Sequence, residues 1–293
     1  MTSTPTGHIA PETGSPRTPT SVEPGAAGPR PVTLEGRHGA TIHATLQQLG
    51  RGRDVVFLHG LVGLNEHWED VVSRIRGRCL CHLLELPLLD LDPVDCSIEA
   101  VTDVTIAFLE ATIARPVCLV GNSFGGHVAL RIAIHRPDLC NALVLAGASG
   151  LMERTLVRGA PVRPSRNWLE EKIGELFYDK AHMRRDDVER AHAALRERGG
   201  ARAMVRLSKT ARRDNLEARL GDVRVPTLLI WGREDVVTPP SAAELFMDKL
   251  PDARIRWLDR CGHAPMLESP DAFADALLDF VDDLDRRARD ASA

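Results

Sequence analysis

The stretch VCLVGNSFGGHVAL, residues 117–130, sets one serine among three glycines between an apolar run and an amphipathic one. Residues 116–122 read as a short buried strand, and 124–136 carry helical periodicity. A strand that passes straight into a helix must turn sharply at Ser123. Such a turn strains the serine backbone and brings its neighbours too close for Cβ atoms. Gly121 and Gly125 relieve that crowding, and Gly126 lets the helix pack on the strand. The pattern is G-x-S-x-G, here GNSFG, and it lifts the serine hydroxyl clear of the sheet. It also aims the backbone N–H of Phe124, at the helix N-terminus, toward an oxyanion on a group attacked by Ser123.

Working outward, short apolar runs alternate with helical patterns. Strands are expected at 40–49, 54–60, 79–87, 116–122, 142–148, 226–232 and 253–259. Helices are expected at 64–77, 97–114, 124–136, 241–249 and 270–286. This alternation predicts an α/β fold, a mainly parallel sheet with helices on both faces. Ligands of such sheets bind beyond the carboxyl ends of the strands, and Ser123 lies at one of them. Residues 149–224 separate the expected strands at 142–148 and 226–232. They read as an inserted helical cap, with helices near 166–178, 185–198 and 200–210 and an irregular lead-in, GAPVRP. The core is then 34–148 and 225–293.

Residues 1–31 hold seven of the 19 prolines and little to bury. A disordered tail over 1–33 is expected, without the basic start and apolar core of a secretory signal. The chain of 293 residues is 43% hydrophobic and 27% charged, with net charge −4. That balance argues against nucleic acid as partner. No apolar run reaches the roughly 18 residues of a membrane helix. Six cysteines occur without a C-x-x-C, so buried thiols in a reducing cytoplasm are expected, with no metal site.

A serine nucleophile needs a base, and the base an orienting acid. LLIWGREDVVTPP (228–240) places Asp235 just past a strand, with Glu234 as the competing acid. WLDRCGHAPMLESP (257–270) places His263 just after the last strand. His127 reads as a packing residue. VVFLHGLVGLNEHW (55–68) supplies a second loop beside the serine: Gly60 lets the backbone turn, the N–H of Leu61 points into the site, and His59 fixes the loop.

These motifs, the HG loop, GNSFGG, GREDVVTP and CGHAPMLESP, together resemble the α/β-hydrolase fold family over roughly residues 34–286. The resemblance implies a Ser123–His263–Asp235 triad, an oxyanion hole at Leu61 and Phe124, and no cofactor. A serine at the elbow sets the chain apart from haloalkane dehalogenases and related epoxide hydrolases, which use aspartate there. LELPLLDLD (84–92) lacks the glycines that relatives often carry, so the pocket rim should follow another path. GNS at the elbow and RRDNLEARL (212–220) resemble the meta-cleavage-product hydrolases, which split a carbon–carbon bond in dienoates bearing a carboxylate. HGLVG in place of a glycine-richer loop, and Ala264 after the histidine, depart from them.

The expected activity is therefore hydrolysis of a small carbonyl substrate, a carboxylic ester first, through an acyl-enzyme. The alternative is C–C cleavage of a 2-hydroxy-6-oxo-dienoate, and from another class a non-enzymatic ligand receptor. Asn122, Arg190, Trp168 and Val237 are the expected substrate contacts, with Arg190 as the cap arginine that would hold a carboxylate. Residues 151–220 carry 17 Lys and Arg against 11 Asp and Glu. A positive cap could concentrate anionic substrates. A monomer and a homodimer are equally compatible with the sequence.

Overall fold

Every residue of Val117–Asn122 is buried, and its side chains alternate between two cores. Val117 and Leu119 face one, Cys118 and Val120 the other. A strand covered on both faces must be apolar at every position, hence the unbroken run. The computed structural model describes residues 27–153 and 164–291. Its strands are β1 (Ala27–Glu35), β2 (Thr41–Gly50), β3 (Arg53–Leu58), β4 (Cys79–Glu85), β5 (Val117–Asn122), β6 (Cys140–Ala146), β7 (Thr227–Gly232) and β8 (Ala253–Leu258). They form one sheet in the order β1-β2-β4-β3-β5-β6-β7-β8. β2 runs antiparallel to β1 and β4, and the pairs from β4 to β8 are parallel.

The helices are α1 (Glu69–Ile75), α2 (Ile98–Thr112), α3 (Phe124–His135), α4 (Arg166–Gly174), α5 (Arg185–Arg196), α6 (Arg198–Arg213), α7 (Pro240–Lys249), α8 (Pro265–Glu268) and α9 (Pro270–Asp290). α2, α3 and α7 cover one face through Phe108, Ile132 and Phe246. α1 and α9 cover the other through Val72, Phe273 and Phe280. Each helix buries the apolar stripe that its 3.6-residue period sets on one side. α4, α5 and α6 lie between β6 and β7, and Leu169, Val188 and Leu195 form a small core of their own. The expected lead-in falls mostly in 154–163 and most of the expected tail in 1–26, both outside the described residues.

One expectation is corrected. The tail assigned to 1–33 ends sooner, because Ala27–Glu35 pairs along β2, with Leu34 opposite Ile42. Val32 and Leu34 pack on the core while their neighbours face water. Pro29 and Pro31 made this segment read as unstructured. On an edge strand a missing N–H costs little, so proline is admitted.

The glycine-free rim at 84–92 also has a clear path. Leu88–Asp90 makes a 3-10 turn, and Leu86 and Leu88 are buried in the core.

Candidate active site

Ser123 is the single residue between β5 and α3, and it sits at φ 53, ψ −119. A non-glycine residue there is strained by about 1–3 kcal/mol and must be held by its surroundings. Its N–H donates to the Ala146 carbonyl at 3.1 Å, and its carbonyl accepts from the N–H groups of His127 and Ser149, each at 3.1 Å. A Cβ on Gly121 would lie 2.4 Å from the Gly125 carbonyl oxygen, and one on Gly125 2.2 Å from that of Leu58. Only glycine fits at either position, the physical reason for the G-x-S-x-G spacing.

Asp235 and His263 come from the loops after β7 and β8. His263 Nδ1 donates to Asp235 Oδ2 at 2.9 Å, and both residues are buried. Asp235 Oδ1 accepts from the backbone N–H groups of Val237 (2.8 Å) and Thr238 (2.9 Å), and Oδ2 from the Thr238 hydroxyl at 2.8 Å. Donation to Asp235 fixes the His263 proton on Nδ1 and leaves Nε2 free to act as a base. Burial works against a charged imidazole, yet the Asp235 carboxylate outweighs it and raises the His263 pKa above its ordinary value. Glu234, the competing acid, instead accepts from the Cys261 N–H at 2.9 Å and holds the loop.

The histidine loop is tied to the helical insertion. The His263 N–H donates to the Leu176 carbonyl at 2.7 Å. The Glu268 carboxylate accepts from the N–H groups of Gly262 (2.7 Å), Tyr178 (2.7 Å) and Asp179 (3.3 Å).

Ser123 and His263 line one cavity of about 160 Å³, with Leu61, Val62, Val237 and Met266 from the core and Ile173, Leu176, Phe177 and Asp187 from the insertion. Leu61 follows Gly60, whose Cβ position lies 3.4 Å from the Ser123 Cβ. Phe124 opens α3, so its N–H is one of the four that a helix start leaves without an intrahelical partner. His59 Nδ1 donates to the Gly60 carbonyl at 2.7 Å, and Nε2 accepts from the Leu86 N–H at 3.1 Å. Burial lowers the His59 pKa and keeps this loop-fixing ring neutral. A larger depression of about 590 Å³, between Arg51, Arg78 and Asp285, lies at the opposite end of the strands, remote from Ser123.

The four expected substrate contacts separate. Val237 lines the cavity. Asn122 also reaches it, but its amide donates to the carbonyls of Ala146 (2.9 Å) and His263 (3.1 Å), so it fastens the serine turn to the histidine loop. Trp168 packs with the small core of the insertion and is not among the lining residues. Arg190 pairs with Asp187 at 2.6 Å and with Glu66. Two carboxylates therefore engage the guanidinium expected to hold a substrate carboxylate. His127 is more than a packing residue: Nε2 meets Asp214 Oδ2 at 3.0 Å, where Arg131 also binds.

Sequence reasoning missed Thr238 and Gly147. Thr238 stands three residues after Asp235, in a spacing that lets a hydroxyl fold back on the carboxylate. Gly147 has φ +50, and a Cβ there would come within 3.0 Å of Asp235 Oδ2 and 3.1 Å of His263 Nδ1. Its only signal was a glycine directly after a strand.

A sequence pattern of the alpha/beta hydrolase family matches residues 55–276. The chain belongs to this family and is an enzyme of the hydrolase class. It is 31% identical to a pimeloyl-[acyl-carrier protein] methyl ester esterase of Nitrosomonas europaea, over 80% of this chain and 97% of that one. It is 28% identical to a 2-hydroxy-6-oxononadienedioate/2-hydroxy-6-oxononatrienedioate hydrolase of Comamonas testosteroni, over 85% and 95%. Among solved structures, an alpha/beta hydrolase enzyme from the sediment metagenome of the Mar Chica lagoon in Morocco superposes with a TM-score of 0.66. Its identity is 29%, over 83% of this chain and 96% of that one.

Proposed function

We propose that the protein is a serine esterase acting on a small carboxylic ester, with Ser123 as nucleophile, His263 as base and Asp235 as the orienting acid. The observation that carries this reading is the strained Ser123 turn sharing a cavity with a His263 whose Nδ1 is held by a buried carboxylate. His263 Nε2 takes the hydroxyl proton as Oγ attacks the ester carbonyl. The N–H groups of Leu61 and Phe124 stabilise the oxyanion. The alcohol leaves with the proton from His263, and a water activated by the same ring releases the acid. Asp235 stays ionised and stabilises the imidazolium.

Residues 149–224 act as a cap in this reading, supported by Ile173, Leu176, Phe177 and Asp187 in the cavity wall. C–C bond cleavage would use the same three residues. The ester reading is favoured because Arg190 is engaged by Glu66 and Asp187. Among the described residues no helix is long and apolar enough to cross a membrane. All six cysteines are free and buried, and burial pushes Cys140 up to about 12. Inert thiols of this kind support the cytoplasm as the compartment.

A fluorophosphonate probe is expected to label the wild type and not Ser123→Ala. In a parallel assay, p-nitrophenyl esters should turn over faster than 2-hydroxy-6-oxo-dienoates. Labelling that persists in Ser123→Ala would remove the nucleophile assignment, and faster dienoate turnover would remove the ester assignment.

A further inference from the structure

Among the described residues, the cavity beside Ser123 has one carboxylate in an otherwise largely apolar wall. Asp187, in the first turn of α5, lines it together with His67 from the loop after β3. Both are nearly buried, with side-chain exposures of 11% and 9%, and Asp187 Oδ2 lies 3.1 Å from His67 Nε2. His67 Nδ1 accepts from the Leu64 N–H at 3.4 Å, so the neutral ring carries its proton on Nε2. That N–H is close to the carboxylate but not in line with it, and it has no aligned hydrogen-bond partner. Asp187 Oδ1 accepts from Arg190 at 2.6 Å, which leaves acceptor capacity on Oδ2. A buried donor and a buried acceptor therefore stand side by side with capacity for a further group.

The size of the cavity points the same way. Ligand sites usually have roughly 300–1,000 Å³, and the catalytic cavity has about 160 Å³. A second cavity of about 190 Å³ adjoins it and shares Leu61, Val62, Gly63 and Asp187. A substrate that outgrows the first cavity meets Asp187 at the passage into the second.

We propose that Asp187 and His67 form a recognition site for a hydroxyl group on the substrate. A hydroxyl donates to Oδ2 and accepts from Nε2–H at once, whereas an ammonium only donates and a carboxylate only accepts. A carboxylate would also face the Asp187 charge. Burial opposes that charge, but His67 and Arg190 outweigh it and hold the Asp187 carboxyl below the usual range, so it is ionised. Among the described residues no Lys or Arg lines the catalytic cavity. Among the described residues, the carboxylate of Asp187 lines that cavity, and Arg190 lines the adjoining one. This inference rests on the esterase reading of Ser123.

The test uses the full chain and p-nitrophenyl alkanoates of one length. The acyl chain carries a hydroxyl at successive carbons, a terminal carboxylate, a terminal ammonium or no substituent. The best hydroxylated ester should exceed the plain one in kcat/KM by on the order of 10- to 100-fold, the worth of a hydrogen bond to a charged group. The carboxylate ester should be the poorest. Asp187→Asn should cut the hydroxyl advantage by about tenfold and relieve the carboxylate penalty. A wild type that gains less than about twofold from a hydroxyl at any position would overturn the proposal, as would an advantage that Asp187→Asn leaves intact. The wild-type ranking decides by itself if the variant does not fold. Fluorophosphonate labelling of the same samples keeps the two readings apart. Labelled enzyme with a flat ranking refutes the hydroxyl site alone, and unlabelled enzyme refutes the esterase reading.

Discussion

Thr238→Val replaces a hydroxyl with a methyl of nearly the same size at a fully buried position. It removes one donor, the 2.8 Å bond to Asp235 Oδ2, and leaves three: His263 Nδ1 and the N–H groups of Val237 and Thr238. A hydrogen bond to a charged group contributes about 1.5–3 kcal/mol, and with three donors left the lower end applies. For a chain of this size that corresponds to a fall in Tm of about 3–6 °C. The kinetic effect is separable. Oδ1 is still gripped by two backbone N–H groups, so the carboxylate does not rotate, and kcat/KM at its pH plateau should fall by less than about tenfold. Without the hydroxyl, more of the carboxylate's charge bears on His263, which raises the imidazole pKa further. In the proposed mechanism His263 must be neutral to accept the Ser123 proton, so the acid limb of the profile should move to higher pH. The measurement is kcat/KM against pH for wild type, Thr238→Val and Thr238→Ser, with melting curves. Thr238→Ser should stay close to wild type. An acid limb that moves down, or a plateau that collapses by the order of 10⁴ described for loss of a triad carboxylate, would refute this account of Thr238.

The wild-type acid limb itself should lie above the ordinary histidine value of about 6.5, because Asp235 raises the His263 pKa; a limb below that value counts against the pairing. Asp214 contributes stability in the opposite sense. Burial raises its carboxyl, but His127 and Arg131 outweigh this and lower it to about 2. Its contribution is then present above the unfolded value near 3.9 and lost as pH falls toward 2. Asp214→Asn should cost about 1–2 kcal/mol near neutrality and progressively less below about pH 4, read by urea unfolding at a series of pH values. Deleting the chain through Glu35 removes β1 and bares the backbone edge of β2, so lower Tm and concentration-dependent aggregation are expected by light scattering.

Strands β3 to β7 were legible because their apolar runs report burial on two faces, and β2 and β8 because apolar and polar residues alternate along them. The site was legible where geometry demands a residue type: glycines at 121 and 125 admit close carbonyls, and serine stands alone between them. β1 was hidden because Pro29 and Pro31 obey a rule for sheet interiors that an edge strand does not share. Arg190 was misread for a different reason. Charge counted along the chain says nothing of pairing, and Glu66, which helps engage that guanidinium, is more than a hundred positions away in the core. Asp187 matters through His67, a partner that only the folded chain brings close.

The bonds from Leu176, Tyr178 and Asp179 to the histidine loop have a bearing on engineering. Segments that shape a pocket are natural units to exchange between homologues, and the stretch between β6 and β7 invites such grafting. Here three residues after α4 belong mechanically to His263, because one accepts its N–H and two bind the Glu268 that also holds Gly262. A chimera joined ahead of Leu176 would inherit foreign supports for its base, and its kcat would suffer whatever the fit of the new pocket. A chimera joined after Asp179 keeps those supports and still exchanges α5, the helix that brings Asp187 and Arg190 to the cavities.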